Sequence, residues 1–160
     1  SPRNRSLMGA HSMACMTYVI ALPCVDLKDK ACIEECPVDC IYEGKRSLYI
    51  HPDECVDCGA CEPVCPVEAI YYEDDLPTEF TPYLQDNADF FFDTLPDRDE
   101  PLGSPGGAAK LGPIGVDTPL VAANAPPPEP GTLVTFRAET THEVTPVTHG
   151  VRFTIATWFR

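Results

Sequence analysis

The sequence predicts an α+β fold that is built from two copies of one small unit and stabilised through its cysteines. Eight of the nine cysteines lie between Cys24 and Cys65. The same stretch contains an internal repeat, and strand-like apolar runs flank both copies. A small unit with little apolar core usually depends on disulfides or metal for its stability. We expect metal here, because residues 1–15 contain no run resembling a secretion signal.

The repeat appears as two aligned cysteine runs. Residues 32–42, CIEECPVDCIY, align with residues 61–72, CEPVCPVEAIYY, as C-x-x-x-C-P-V-acid-x-I-Y. Upstream, CVDL at 24–27 aligns with CVDC at 55–58, and the first copy has two more residues between these anchors. Two copies of one unit predict a pseudo-twofold β-α-β β-α-β arrangement.

Each copy predicts short elements. Helices are expected after Cys32 and after Cys61, each ended by the proline that follows the next cysteine. Tyr18 and Tyr72 are expected to pack over opposite cysteine sets. Residues 78–95, TEFTPYLQDNADFFFDTL, have apolar side chains near helical spacing and predict a helix that lies across the cysteine core and excludes water. The expected strands are Thr17–Leu22, Ile41–Tyr42, Leu48–Ile50 and Ala69–Tyr72.

The second copy has a specific ligand spacing. It reads Cys55-x2-Cys58-x2-Cys61-x3-Cys65-Pro66, which is typical of bacterial iron–sulfur runs. In those runs three cysteines hold one cluster and the fourth holds the other. Gly59 is expected to let the backbone turn close to the cluster sulfides.

The first copy has one ligand fewer, because Leu27 stands where the second copy has Cys58. Three thiolates leave one iron position without a cysteine, which suits a [3Fe-4S] cluster; the ligands expected for it are Cys24, Cys32 and Cys65. Cys36 is then expected to cross over and complete a [4Fe-4S] cluster. The ligands expected for this second cluster are Cys36, Cys55, Cys58 and Cys61.

Other residues are alternatives to this assignment. Cys40 aligns with an alanine of the second copy and is expected to be a buried thiol that is not a ligand. Asp26 likewise aligns with a position that is not expected to bind, whereas Asp29, in the two-residue expansion, is an alternative fourth ligand. Cys15 precedes the unit and is not expected to bind. Zinc is the alternative metal, but it normally takes two C-x2-C pairs, or pairs with histidine, in one tetrahedron.

The charge of the chain indicates its partners. The formal net charge is −14, and ten of the acids lie between Glu73 and Glu100. Such a surface repels nucleic acid and favours a basic protein partner; the alternative is an acidic face that only confers solubility. No segment is apolar and long enough to span a bilayer. We therefore expect a cytoplasmic monomer.

Residues 16–126 resemble the seven-iron ferredoxins, most closely those of actinobacteria, in both cysteine runs and in a later LGSPGGAAKLGPIG. The resemblance implies the ferredoxin-like dicluster fold and the same two ligand sets. It also implies a one-electron carrier, not an enzyme, that acts between a ferredoxin reductase and acceptors such as cytochrome P450-type monooxygenases.

Residues 131–160 resemble a different family, the closing strands of iron(II)/2-oxoglutarate dioxygenases of the prolyl-hydroxylase kind. This resemblance implies that His142 would bind iron and that Arg152 would bind the 2-oxoglutarate carboxylate. A complete site needs two histidines and a carboxylate on one metal. The only H-x-D of the chain is His51-Pro52-Asp53, inside the cysteine-rich unit, so we expect no catalytic activity from this tail alone.

Four segments follow from these observations. They are an extension expected to be disordered (1–15), a dicluster domain (16–75), a helix with a Gly/Pro-rich extension (76–126), and a proline-rich spacer with a β-rich tail (127–160).

Overall fold

In the computed structural model of the chain, residues 16–125 are described. The described residues form four short strands, three helices and four 3-10 turns, which agrees with the predicted α+β class. The strands are β1 Tyr18–Ile20, β2 Ile41–Glu43, β3 Leu48–Ile50 and β4 Ile70–Tyr72. The helices are α1 Ala31–Glu35, α2 Pro82–Phe92 and α3 Pro119–Ala123.

The chain divides into two units, Ser1–Pro127 and Pro128–Arg160, and every described residue belongs to the first. The extension predicted over residues 1–15 and the spacer and tail predicted over residues 127–160 lie outside the described residues. No helix within residues 16–125 is long and apolar enough to cross a membrane.

The strands form two antiparallel pairs, β1 with β4 and β2 with β3. Tyr18 lies opposite Tyr72 in the first pair, and Ile41 lies opposite Ile50 in the second. All four strands lie within the runs predicted from the sequence, except that β2 extends one residue further.

The side chain of Asn87 on α2 joins the two strand pairs. Its Oδ1 accepts hydrogen bonds from the backbone N–H of Ile20 at 3.2 Å and of Ile50 at 3.1 Å. Its Nδ2 donates to the carbonyls of Ile20 and Tyr83, both at 2.9 Å. One buried amide therefore satisfies backbone groups of β1 and β3 that no strand ladder pairs.

The strands separate two apolar clusters, because successive side chains point to opposite faces. One face carries the buried cysteines together with residues such as Ile20, Ile41 and Ile50. The other face carries Val19, Ala21, Tyr42 and Tyr49 and is covered by the aromatic side chains of α2.

The position of α2 corrects the expectation that it would lie across the cysteine core, because it packs on the face opposite the cysteines. The reason is aromatic packing. Phe90 stacks on Tyr49 with ring centroids 3.8 Å apart, and Phe91 meets Tyr42 edge-on at 4.9 Å. Offset and edge-on ring pairs of this kind add to the free energy gained by burial.

The helix predicted after Cys61 is absent from the described structure, and residues 61–65 form turns instead. Pro63 is the physical reason, since it lacks an N–H, and Pro66 follows closely. Only a single turn closes there, through the N–H of Cys65 and the carbonyl of Glu62 at 3.2 Å. The first copy has Glu34 in place of Pro63, and it forms α1.

The aligned turns of the two copies nevertheless share a backbone conformation. Asp26 and Asp57 both have a positive φ, at 66° and 54°, and so do Asp39 and Glu68, at 54° and 50°. Positive φ is uncommon outside glycine. Its occurrence at two aligned pairs shows that corresponding segments of the repeat turn in the same way.

The extension after α2 packs back on the cysteine-rich unit. The buried carboxylate of Asp117 accepts hydrogen bonds from the backbone N–H of Arg46, at 2.9 Å, and from the hydroxyl of Tyr49, at 3.1 Å. The N–H of Ile114 donates to the carbonyl of Glu43 at 2.8 Å. These contacts attach the extension to the β2–β3 turn.

Candidate metal centre

The cysteines predicted as ligands lie on one face of the strands and form two neighbourhoods. In the first, burial raises the pKa of Cys32 to about 12, helped by the negative charges of Cys24 and Cys65. Burial likewise raises the pKa of Cys24, and the charge of Cys65 adds to this effect. These three thiols are therefore close enough to act on one another electrostatically.

The second neighbourhood surrounds Cys61. Burial, together with the charges of Cys55, Cys36 and Cys58, raises the pKa of Cys61 to about 12. The same four cysteines line a recess with about 290 Å³ of space not filled by protein atoms. The charge of Cys61 also raises the pKa of Cys32, so the two groups of thiols adjoin each other.

The donor set fits an iron–sulfur group on chemical grounds. Thiols that raise one another's pKa resist becoming thiolates, and a bound cation removes that resistance, because metal-bound thiols are deprotonated outright. Thiolates are also the ligands that iron–sulfur clusters use. Among residues 16–125, no three His, Cys, Asp or Glu side chains converge tightly enough to hold a single metal ion.

Cys40 lies inside the second neighbourhood, which the sequence alignment did not reveal. It is 2 % exposed, lines the same recess, and has its Sγ 3.6 Å from the Sγ of Cys36. A hydrogen bond to Cys55 raises the pKa of Cys40, and the same bond lowers the pKa of Cys55 to about 5. Cys40 is therefore an S–H donor beside the predicted ligands as well as a buried thiol. The available signal was its spacing of four residues from Cys36.

The other alternative residues have separate partners. The carboxylate of Asp29 accepts a hydrogen bond from the N–H of Ala31 at 3.1 Å, at the beginning of α1. Asp26 pairs with Arg46 at 2.7 Å, and this pairing lowers the pKa of its carboxyl. Leu27, which replaces a cysteine in the first copy, is exposed at the surface.

Tyr18 and Tyr72 do not lie over opposite cysteine sets as expected. They face each other across β1 and β4, with ring centroids 5.5 Å apart. Strand register is the reason, since residues directly opposite on an antiparallel pair are neighbours. Tyr18 lines the recess of the second neighbourhood. A Cβ at Gly59 would lie 2.9 Å from the Tyr18 hydroxyl, so one of the two groups would have to shift. Gly59 also has φ +70°, which agrees with the tight turn expected there.

Both ring nitrogens of His51 are hydrogen-bonded to backbone groups of the fold. It is fully buried, its Nδ1 accepts from the N–H groups of Asp53 and Glu54, and its Nε2 lies 3.0 Å from the carbonyl of Gly103. This network fixes the ring and leaves no nitrogen open to a metal. Cys15, His142 and Arg152 lie outside the described residues.

Two clustered thiol sets on one face of a small α+β unit define the class of iron–sulfur proteins. Comparison with known proteins identifies the family. The chain is 70% identical over 108 residues to a ferredoxin of Mycobacterium bovis, a match covering 68% of this chain and 95% of the relative. It is 71% identical over 110 residues to a ferredoxin of Streptomyces griseus, covering 69% and 97%. The chain belongs to the ferredoxins, iron–sulfur electron carriers that are not enzymes.

A further relative and a family model agree with this result. The protein named "Ferredoxin 7Fe" from Hydrogenibacillus schlegelii is 60% identical over 76 residues, which are 48% of this chain and 97% of the relative. The model of the 4Fe-4S binding domain matches residues 48–71, which include the second cysteine run.

A second family model, the 2OG-Fe(II) oxygenase superfamily, matches residues 93–160. This supports the resemblance seen at residues 131–160 and extends it towards the N-terminus. Residues 93–125 of that match belong, in the structure, to the unit that carries the cysteines. Within residues 93–125, the carboxylate of Asp117 accepts a hydrogen bond from the backbone N–H of Arg46 in the β2–β3 turn. Asp117 therefore stabilises the unit that carries the cysteines.

Proposed function

We propose that the chain is a cytoplasmic, monomeric one-electron carrier that holds one [3Fe-4S] and one [4Fe-4S] cluster. The first cluster is held by Cys24, Cys32 and Cys65, and the second by Cys36, Cys55, Cys58 and Cys61. The observation that carries the proposal is the recess lined by Cys36, Cys55, Cys58 and Cys61. Cys24 and Cys32 are buried in the adjoining apolar cluster, and the charge of Cys65 acts on both of them. The exposed Leu27, standing where the second copy has Cys58, supports the smaller first cluster.

A pseudo-twofold arrangement of the two copies belongs to the same proposal, with a helix in the first copy and turns in place of the second helix. It is supported by the matched positive-φ residues of the two copies and by the antiparallel pairs β1–β4 and β2–β3. The name "Ferredoxin 7Fe" of one relative agrees with a total of seven irons. We further propose a ferredoxin reductase as donor and enzymes such as cytochrome P450-type monooxygenases as acceptors.

When bound, the clusters take up and release single electrons. The residues of the chain hold them and control their surroundings. Ile20, Ile41 and Ile50 exclude water from the cysteine face. The N–H of Ala69 donates to the Sγ of Cys65 at 3.3 Å, which stabilises negative charge on that sulfur.

Iron and acid-labile sulfide per chain, measured on anaerobically purified protein with EPR on the same sample, test the proposal. We expect about seven irons and about eight sulfides, with a [3Fe-4S] signal in the oxidised protein. About eight irons without that signal would mean a fourth ligand at the first site, with Asp29 the first candidate. About one additional iron that is not released with sulfide and responds to 2-oxoglutarate would indicate dioxygenase chemistry instead.

A further inference from the structure

A second cavity lies between the C-terminal half of α2 and the beginning of α3. Its volume is about 180 Å³, many times the roughly 10–15 Å³ that a single water requires. None of its lining residues is a cysteine, and α2 itself packs on the face of the strands opposite the cysteines. The cavity is therefore separate from the candidate metal centre.

Three acids of α2 line this cavity. Asp86, Asp89 and Asp93 are spaced three and four residues apart, so their side chains are neighbours along one surface of the helix. Asp86 is 4 % exposed, Asp89 is half-buried and Asp93 is exposed. The carboxylates therefore lead from the floor of the cavity to its rim. The Asp89 carboxylate accepts one hydrogen bond from Gln85, which is neutral, at 2.7 Å.

The acid at the floor has no cationic partner. Oδ2 of Asp86 has no hydrogen-bond partner among the described residues, and its other contact is a hydrogen bond with the uncharged Thr118. Burial, together with the charges of Asp89 and Asp117, raises the pKa of Asp86 to about 6, so the carboxyl is mainly ionised at neutral pH. No ion pair within residues 16–125 includes an acid of this cavity. Buried charges in proteins are normally paired, which indicates that a cation binds here.

The opposite wall of the cavity is apolar, and it distinguishes between kinds of cation. Leu95, Pro119 and Leu120 form this wall, and Leu120 is 38 % exposed. Charged groups on aliphatic stems bury their methylenes along such surfaces, whereas Ca²⁺ and Mg²⁺ require oxygen ligands on all sides. Residues 16–125 also contain no three acids that converge tightly enough to hold a metal ion. The lining therefore fits an organic cation.

We propose that this acidic cavity, defined as Asp86, Asp89, Asp93, Leu95 and Leu120, binds a guanidinium or alkylammonium group on a short aliphatic stem. The head group pairs with the carboxylates, and a guanidinium can donate to a carboxylate through two N–H groups. The stem packs on the two leucines. A Lys or Arg side chain of another protein and a free alkylamine share this chemistry. The proposal goes beyond electron transfer, since binding at this site does not depend on a cluster.

Isothermal titration calorimetry of the full chain, at about pH 7.5 and low ionic strength, tests the site with butylguanidinium as the probe. We expect saturable binding, and at least about tenfold weaker binding of guanidinium itself, which has no stem to bury. Asp86→Asn removes the charge at the floor with little change of shape and should weaken binding at least about tenfold. Glu79→Gln is the matched control, since it removes one charge at an exposed position just before α2. It should change the affinity by less than about twofold.

A second variant and a second probe extend the test. Asp93→Asn changes an exposed side chain at the end of α2, so it should fold normally and weaken binding about threefold or more. A blocked peptide with one arginine between two glycines distinguishes the two sources of the cation. Binding of this peptide within about tenfold of butylguanidinium would support the site and assign it to a protein side chain. Binding of butylguanidinium alone would support the site and assign it to a free small cation.

Three outcomes would overturn the proposal. Absence of saturable binding by both probes would remove the site. Equal affinities in the wild type, Asp86→Asn and Asp93→Asn would show that the cation binds elsewhere on this acidic chain. Saturable binding of Ca²⁺ that displaces butylguanidinium would make the cavity a metal site instead. Iron and acid-labile sulfide measured on the same samples report on the proposed function separately, because neither quantity depends on this cavity.

Discussion

At the scale of single residues, two thiols that line the recess of the second neighbourhood have different surroundings. Cys58 is exposed at the opening, whereas Cys40 is buried behind it and donates towards Cys55. Cys58→Ala should lose the [4Fe-4S] cluster, about four irons, together with much of the fold, because a small unit of this kind depends on its metal. Iron per chain and the circular dichroism spectrum measure both effects.

Cys40→Ala is the matched control for that substitution, since it also removes one thiol from the same recess. It should retain both clusters and the full iron content. Its [4Fe-4S] reduction potential should fall, because the lost S–H donor had stabilised negative charge on Cys55. Loss of iron in Cys40→Ala would show that the repeat alignment, which places Cys40 opposite Ala69, is wrong.

Asp86 is a buried acid, and its ionisation lowers the free energy of unfolding. It is 4 % exposed, and its Oδ2 has no hydrogen-bond partner within the described residues. Burial, together with the charges of the neighbouring Asp89 and Asp117, raises the pKa of Asp86 to about 6. A raised pKa in the folded state contributes stability at low pH that is lost as the pH rises through about 6.

Asp86→Asn should therefore be more stable than the wild type by about 1–2 kcal/mol at pH 8. The gain should increase from about pH 4 to about pH 7 and then level off, since the carboxylate is fully charged above that range. Thermal midpoints of the two cluster-loaded proteins at pH 5, 7 and 8 measure it. A constant difference across this range would mean that Asp86 titrates normally.

At the scale of elements, α2 packs on the strands through aromatic side chains and is hydrogen-bonded to them through the side chain of Asn87. Asn87 accepts from β1 and β3 and is 3 % exposed. Asn87→Leu should lower the free energy of unfolding by about 2–4 kcal/mol, because it leaves buried N–H groups of two strands without acceptors. Gln85→Ala, at an exposed position of the same helix, should change it by less than about 0.5 kcal/mol. Equal thermal midpoints for the two variants would contradict this role of Asn87.

The elements also show what the sequence could predict. The strands follow from local apolar runs. Pro63 is a local signal against the second helix, whereas the alignment of the two copies favours that helix. The face covered by α2 was not predictable from its own spacing, because both faces of the strands are apolar. Long-range contacts decide it: Tyr42 and Tyr49 need a cover, and Asn87 meets backbone groups 37 and 67 residues away.

The thiol positions were more predictable than their surroundings. Cysteine spacing limits which thiols can meet, since each run is short and its turns are tight. The placement of Cys40 beside Cys55 and the pairing of Tyr18 with Tyr72 depend on how the two copies fold together. Such contacts have no signature within either copy.

At the scale of the whole molecule, α3 links the extension to the cysteine-rich unit. Val121 is fully buried, and Arg46 donates from Nη1 to the carbonyls of Val121 at 3.2 Å and of Asn124 at 2.8 Å. Asn124 also donates to the hydroxyl of Tyr83 at 3.2 Å. The first unit therefore depends on the chain as far as Asn124. The boundary between the two units follows shortly after, at Pro127.

Two shortened chains test this boundary. A chain that ends after Pro127 should match the full chain in iron content and thermal midpoint, because it keeps every contact of α3. A chain that ends after Thr118 should be less stable by about 2–4 kcal/mol, since it loses the buried Val121 and leaves Arg46 without its two carbonyl acceptors. Faster loss of cluster absorbance on warming would report that difference. If the chain ending after Pro127 also lost its clusters, residues 128–160 would be needed to hold them. The part of the chain that matches the oxygenase model would then have a structural role in the electron carrier.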